Sequence, residues 1–280
     1  MLISVNIPAT NLTNLDICLS HIELAKKEYN DIDVEVIVNN VLEREDITNL
    51  IKKFGYKEIK KFTNILESRY IMAMESNGDY ILLLDDTRFI SKNFFSIIKN
   101  EPTDMGFFKE IQLGINPYSK LSNIHNSLFT ERNAVLNPMN TRFILPRLYK
   151  RKLILHSLDQ IINNVPKDIF KKIKAMDLEL IYYETFIKKP SYRFYDSVII
   201  YHLPVNLKSD VRKMYKYGQN TRFLASTKYK MLGNLRGRTR NWKVMMRHPE
   251  VSLYLAIRGI PFVLGYYSRN FQKLFSVLQW

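Results

Sequence analysis

The chain has 280 residues with 46% hydrophobic and 12% aromatic content, enough for one large α/β domain plus an appendage and too apolar for a disordered chain. Its one cysteine, Cys18, excludes a disulfide framework and a cysteine-ligated metal and fits a reducing compartment. The net charge of +15 is uneven: residues 206–280 carry 15 Lys and Arg against only Asp210 and Glu250, a net +13, which asks for an anionic partner such as membrane lipid, nucleic acid or a phosphorylated substrate.

Met1-Leu2-Ile3 runs straight into a strand pattern, with no basic start or cleavage site of a secretory signal. Leu2 to Ile7 reads as a strand ending at Pro8, and Thr13 is expected to cap a helix whose apolar positions are Leu15, Cys18, Leu19 and Ile22. Val34–Val38 is a second strand closed by Asn39 and Asn40. Ile47, Leu50, Ile51 and Phe54 mark a second helix that stops at Gly55. Lys57–Phe62 reads as an edge strand, and Asn64 with Glu67 forms a capping box for a helix over Ile65–Glu75. The run Tyr80–Leu84 is short, wholly apolar and bounded by Asn77-Gly78, the signature of a strand buried on both faces. The alternating order predicts a mostly parallel sheet with right-handed crossovers, a nucleotide-binding type of α/β domain.

Further on, the pattern predicts a helix over Ser91–Lys99 and strands at Met105–Ile111, Phe143–Tyr149 and Tyr192–Tyr201. Residues 113–141 read as loop with one short helix. Leu158–Asn163, Pro166–Lys174 and Asp177–Lys188 read as helices. Beyond Pro204 the chain turns to basic helices. The domain reading is therefore 1–205 for the α/β domain and 206–280 for a basic, amphipathic helical region.

Asp85 and Asp86 emerge at the carboxyl end of the buried run, the edge where open α/β sheets bind ligands. Two adjacent carboxylates there suit a divalent metal carrying a phosphate. The alternative is a turn that caps the helix near Ser91.

The order of these pieces resembles the inverting family 2 glycosyltransferases with the GT-A fold, over roughly residues 1–225. Ser4 to Asn11 resembles that family's opening strand and loop, and Glu35 to Asn40 its second strand. The helix with Glu67, Ser68 and Arg69 followed by Asn77 to Thr87 resembles the approach to the Asp-X-Asp metal motif. Met176 to Leu180 resembles the segment that supplies the catalytic base, Val198 to His202 the strand ending in a histidine near the metal, and Arg212 to Asn220 a basic Tyr-Gly segment. The chain departs from the pattern in three places: the metal motif reads Leu84-Asp85-Asp86, Asn39 or Asn40 replaces the base-binding Asp, and Met176 replaces a Glu.

The resemblance implies a GT-A domain with a mixed, mostly parallel sheet. It implies an enzyme moving a sugar from a nucleotide-sugar donor to an acceptor hydroxyl with inversion, helped by Mn²⁺ or Mg²⁺. It implies Asp177 as general base with Glu179 as runner-up, Asp86 and His202 as metal ligands, and Pro8, Thr10, Asn39, Asn40, Arg69, Asp85 and Arg212 as donor-binding residues. From the residues alone, Asp177 also suits a helix N-cap, His202 a hydrogen-bonded structural role, and Asn39-Asn40 a plain turn.

The stretch 251–268 is apolar and aromatic, but Arg258 and Pro261 interrupt it, so an interfacial element fits better than a span. Arg236, Arg238, Arg240, Lys243 and Arg247 would meet anionic lipid. The expectation is a peripheral protein at the cytoplasmic membrane face acting on a glycan or polyprenyl-phosphate-linked acceptor. A helical hairpin closing the core, or a dimer contact, is the other reading of this tail. Two other functions compete: an inactive GT-A relative serving as a binding subunit, and a nucleic-acid-binding protein, which the scatter of the tail's aromatics disfavours.

Overall fold

A computed structural model describes residues 1–29, 31–99, 103–114, 116–130, 145–204, 206–232 and 247–268. It divides into two compact units. The first comprises Met1–Leu113, Ile144–Ile161 and Ile181–Leu203, and the second Gly114–Phe143, Ile162–Leu180 and Pro204–Trp280. The join at Leu203/Pro204 coincides with the change in composition near residue 205. The second unit also takes in two segments from earlier in the chain.

The first unit is built on one eight-stranded sheet of order β3-β2-β1-β4-β7-β6-β8-β5. The strands are β1 (Leu2–Ala9), β2 (Asp33–Asn40), β3 (Lys57–Lys60), β4 (Tyr80–Leu83), β5 (Arg88–Ile90), β6 (Met105–Gln112), β7 (Leu148–Lys150) and β8 (Tyr192–His202). Pairings β1–β2, β1–β4, β2–β3 and β6–β8 are parallel, whereas β7 runs antiparallel to both β4 and β6, and β5 antiparallel to β8. The sheet is thus mixed and mostly parallel, as the alternating order predicts.

Helices α1 (Leu12–Glu28), α2 (Glu45–Phe54), α3 (Ile65–Met74) and α4 (Phe94–Ile98) accompany these strands. The periodic apolar positions of α1 are all buried: Leu15, Cys18, Leu19 and Ile22. They pack with Ile3, Val5, Ile7, Val36, Val38, Leu82 and Leu84 in one core. Burying each such side chain contributes about 1.5–3 kcal/mol. Gly55 ends α2 in the left-handed region, at φ 70°, and its N–H satisfies a carbonyl of the last turn. The Asn64 side chain accepts the Glu67 N–H at 2.8 Å and so caps α3.

Several boundaries differ from the sequence reading. The cap of α1 is Asn11, whose Oδ1 accepts the Asn14 N–H at 3.0 Å, so the helix starts one residue before Thr13. The helix expected over Ser91–Lys99 shortens to α4, because Arg88–Ile90 is drawn into the sheet as an edge strand against β8. The strand expected over Phe143–Tyr149 is β7, with residues 143 and 144 outside the described residues. Helix α6 (Arg151–Asn164) is longer than Leu158–Asn163, because Ile154, Leu158 and Ile161 form one buried stripe. Helix α7 (Lys167–Phe170) is shorter than the Pro166–Lys174 reading.

Where the sequence reads as loop with one short helix, the structure has the 14-residue helix α5 (Pro117–Thr130), with residues 131–141 outside the described residues, and α8 (Asp177–Ile187) begins at the aspartate as expected. The second unit contains α5, the start of α8, α9 (Leu207–Leu224) and α10 (Pro249–Tyr266). Helix α10 packs on α9 and α5. Within that packing Arg258 is tied to Asp210 (Nε–Oδ2 3.2 Å) and to the Tyr254 hydroxyl (3.0 Å), so the charge that interrupts the apolar run has partners inside the unit. No helix among the described residues is long and apolar enough to cross a membrane. Arg236, Arg238, Arg240 and Lys243 lie outside the described residues.

Candidate active site

The carboxyl edge of β1, β2 and β4 collects the residues that the sequence singled out in the first unit. Pro8 of β1 lies in register with Asn39 of β2, and Ala9 with Asn40. The backbone N–H of Leu84 donates to the Asn6 carbonyl at 3.1 Å, which carries the β1–β4 pairing up to Asp85. The period of two then sends the two consecutive carboxylates to different partners.

Asp86 turns toward the loop between β1 and α1. Its Oδ2 accepts the Thr10 N–H at 2.7 Å, the Asn11 N–H at 2.9 Å and the Thr10 hydroxyl at 3.0 Å. Burial pushes its pKa up, the hydrogen bonds from Thr10 and Asn11 pull it back, and the charge of Asp85 raises it further. The side chain pins the β1–α1 loop, and with it Pro8 and Thr10, to the end of β4.

Asp85 turns toward arginines. Its Oδ1 accepts from Arg69 Nη2 and its Oδ2 from Arg88 Nη1, while Arg147 Nη1 lies 3.7 Å from Oδ2. Arg69 is fully buried and also donates to the Leu84 and Asn6 carbonyls, so it fastens α3 beneath the ends of β1 and β4. Glu110 of β6 closes the cluster, accepting from Arg147 Nε at 2.8 Å and from Arg88 Nε at 3.3 Å. Burial alone would raise the Glu110 pKa, but Arg147, Arg88 and His202 outweigh it and hold the group at about 2. The set is partly buried, so removing one partner destabilises it by leaving the remaining charge uncompensated.

Arg147 reaches this cluster through the antiparallel insertion of β7. Its carbonyl accepts the Leu83 N–H at 2.8 Å, and its own N–H donates to Gly106 of β6 at 3.0 Å. Arg88, Glu110 and Arg147 escaped the sequence reading. The one local signal was Arg88, three residues after Asp85.

His202, at the end of β8, lies opposite Arg88 of β5 and beside Gln112 of β6. Its Nδ1 is 2.6 Å from the Leu203 carbonyl, which can only accept, so Nδ1 carries a proton. Asn40 is engaged throughout: its amide donates to Arg44 O, Thr48 Oγ1 and Glu58 Oε1, and its Oδ1 accepts the Arg44 N–H. Asn39 is different. Its amide lies 2.7 Å from the Ser68 hydroxyl and 3.2 Å from that of Thr63, while its Oδ1 is buried with no hydrogen-bond partner among the described residues.

A divalent cation needs several hard oxygens converging on one point. Asp85 and Asp86 diverge, and Asp85 and Glu110 face Arg69, Arg88 and Arg147. Among the described residues no group of three or more His, Cys, Asp or Glu side chains is placed to hold a metal. The residues present therefore do not fit a metal at the Asp85–Asp86 pair.

In the second unit, Asp177 opens α8 and is buried, as is Glu179. Met176, just before it, takes the left-handed conformation at φ 71°. The Asn220 amide of α9 donates to the Ala175 carbonyl at 2.6 Å, and the Thr221 hydroxyl lies 3.5 Å from Met176 Sδ. Arg212 is exposed on α9.

The fold is similar to that of several solved structures. Residues 1–349 of TarS from S. aureus, solved with UDP, match 96% of this chain and 82% of their own at TM-score 0.52 and 14% identity. The same protein was solved with UDP-GlcNAc (TM-score 0.54). The mannosyltransferase PcManGT of Pyrobaculum calidifontis, in complex with GDP-Man and Mn²⁺, matches 92% of this chain and 75% of its own at TM-score 0.53 and 11% identity. These neighbours are GT-A glycosyltransferases, and the chain has the GT-A fold. No family model and no curated protein sequence matches it.

Proposed function

We propose that the chain is a glycosyltransferase that moves a sugar from a nucleoside diphosphate sugar to an acceptor hydroxyl with inversion. The observation that carries the reading is the gathering of Asn39, Arg69, Asp85 and the Asp86-pinned loop at the carboxyl edge of β1, β2 and β4. That edge is where open α/β sheets bind ligands. The fold shared with proteins crystallised with UDP, UDP-GlcNAc and GDP-Man supports a donor of this class.

In this reading the orphaned Oδ1 of Asn39 accepts an imino N–H of the base, and Pro8 and Thr10 line the donor through the loop that Asp86 holds. The acceptor oxygen bonds to the anomeric carbon as the bond to the diphosphate breaks, its electron pair leaving with the diphosphate. The acceptor's proton passes to the Asp177 carboxylate. Arg212 adds cationic charge for a phosphate of donor or acceptor. The Mn²⁺ or Mg²⁺ implied by the sequence resemblance does not fit the carboxylates present.

The acceptor in this proposal is a lipid-linked glycan at the cytoplasmic face of a membrane. Leu253, Ile260, Val263 and Tyr267 are exposed along one stripe of α10 and its end, with Ala256 between them, and the surrounding sequence is basic. An apolar stripe flanked by Lys and Arg supports an element lying in the interface.

A second reading is favoured by the lost metal set: an inactive relative that binds a nucleotide sugar without transferring it. Thermal unfolding with UDP, GDP and dTDP, followed by a donor-hydrolysis assay, separates the two. Ligand at 100 times its dissociation constant stabilises by about 2.7 kcal/mol. Stabilisation by one nucleotide, with turnover lost in Asp177→Ala but nucleotide binding kept, is the expected result. Stabilisation without turnover selects the binding subunit, and no stabilisation by any of the three removes the donor-site reading.

A further inference from the structure

We infer that the charge of the donor's diphosphate is met at this sheet edge by the chain's own guanidinium groups, Arg88 foremost with Arg147 behind it, in place of a divalent cation bridging Asp85 and Asp86. The inference rests on the donor-site reading and goes beyond it.

Three observations carry it. First, the adjacent carboxylates serve other partners: Asp86 Oδ2 takes three donors from Thr10 and Asn11, and both oxygens of Asp85 face guanidiniums. Second, the guanidinium groups of Arg69, Arg88 and Arg147 gather around Asp85 and Glu110, which concentrates at this edge the cationic donors that attract a diphosphate. Third, the arginines are graded in access, with side-chain exposures of 0% for Arg69, 2% for Arg147 and 12% for Arg88.

Arg69, locked to backbone carbonyls, is a support. Arg88 is the guanidinium that a ligand can reach. Its Nη1 is held by Asp85 and its Nε by Glu110, which fixes the plane of the fork, and its Nη2 has no hydrogen-bond partner among the described residues. A planar fork held from two sides matches the spacing of phosphate oxygens. The positive charge then sits where the leaving diphosphate gains its negative charge, supplied by a covalent group instead of an ion.

Isothermal titration of the full chain with UDP and with GDP, in EDTA and then in Mn²⁺, tests this. Whichever nucleotide binds should bind with the same affinity in both buffers, within about twofold. Arg88→Ala should weaken it about tenfold or more while leaving the parent nucleoside unaffected, and Arg88→Lys should recover part of the loss. Binding that EDTA abolishes and Mn²⁺ restores, and that Asp86→Asn also abolishes, overturns the inference and leaves the donor-site reading intact. Failure of both nucleotides to bind in either buffer overturns both. If Arg88→Ala does not fold by circular dichroism, the comparison of buffers on the unmodified chain decides alone.

Discussion

The side-chain amide of Asn220 donates to the carbonyl of Ala175 at 2.6 Å, two residues before Asp177. Both groups are buried, and the neighbouring Met176 sits in a left-handed conformation that costs a non-glycine residue about 1–2 kcal/mol. Such a bend persists when its surroundings over-determine it, and the Asn220–Thr221 pair of α9 is the device that does so here. Asn220→Ala orphans a buried carbonyl and should destabilise the chain by about 1–3 kcal/mol. If Asp177 is the base, kcat should fall with little change in donor KM. Chemical denaturation and steady-state kinetics check the two halves separately. An equal fall in binding and turnover would reduce Asn220 to a structural role.

Glu110 sets an acid limit on the first unit. Its pKa is depressed from the model-peptide value of 4.5 to about 2, so the folded state binds its proton less readily than the unfolded state. The stability it contributes is complete above the unfolded pKa and is lost as pH falls from about 4.5 towards 2, up to about 3 kcal/mol. Asp86, with its pKa raised by burial, acts in the opposite sense: its contribution is present at low pH and is lost as pH rises through its folded pKa. Glu110→Gln should flatten the acid side of a denaturation series between pH 5 and about 2 while lowering stability at pH 7. A slope unchanged by the substitution would contradict the assignment.

Helices α9 and α10 touch through two glycines. A Cβ on Gly218 would lie 2.0 Å from the Phe262 carbonyl oxygen, and one on Gly265 would lie 2.1 Å from that of Tyr215. Both obstacles are backbone, which cannot rotate away. Gly218→Ala and Gly265→Ala should each force the helices apart and cost about 1–3 kcal/mol, despite alanine's better helix propensity. Melting temperatures of the two variants check this, and a gain in stability at either site would refute the close crossing.

The exposed stripe of α10 offers a direct test of the membrane proposal. Ile260→Glu combined with Val263→Glu alters only exposed positions, so melting temperature should change little. Co-sedimentation with vesicles containing phosphatidylglycerol should drop sharply, and raised salt should weaken what remains. Unchanged sedimentation would remove the stripe from the interface.

The sequence by itself determined the strands and helices that announce themselves within a single turn or run. The apolar period of α1, the glycine stop of α2, the Asn64 cap of α3 and the wholly apolar β4 are local signals, and the alternation of such elements leaves few topologies. It also placed Asn39, Arg69, Asp85 and Asp86 at one sheet edge, because parallel crossovers bring the ends of β1, β2 and β4 together. Only the tertiary structure decided what those groups face. The antiparallel insertion of β7 between β4 and β6 delivers Arg147, the edge strand β5 delivers Arg88, and β6 delivers Glu110. These residues carry no mutual spacing in the chain. Their pairing is a long-range electrostatic fact, and it turns a carboxylate pair that reads as a metal motif into the anchor of a guanidinium cluster.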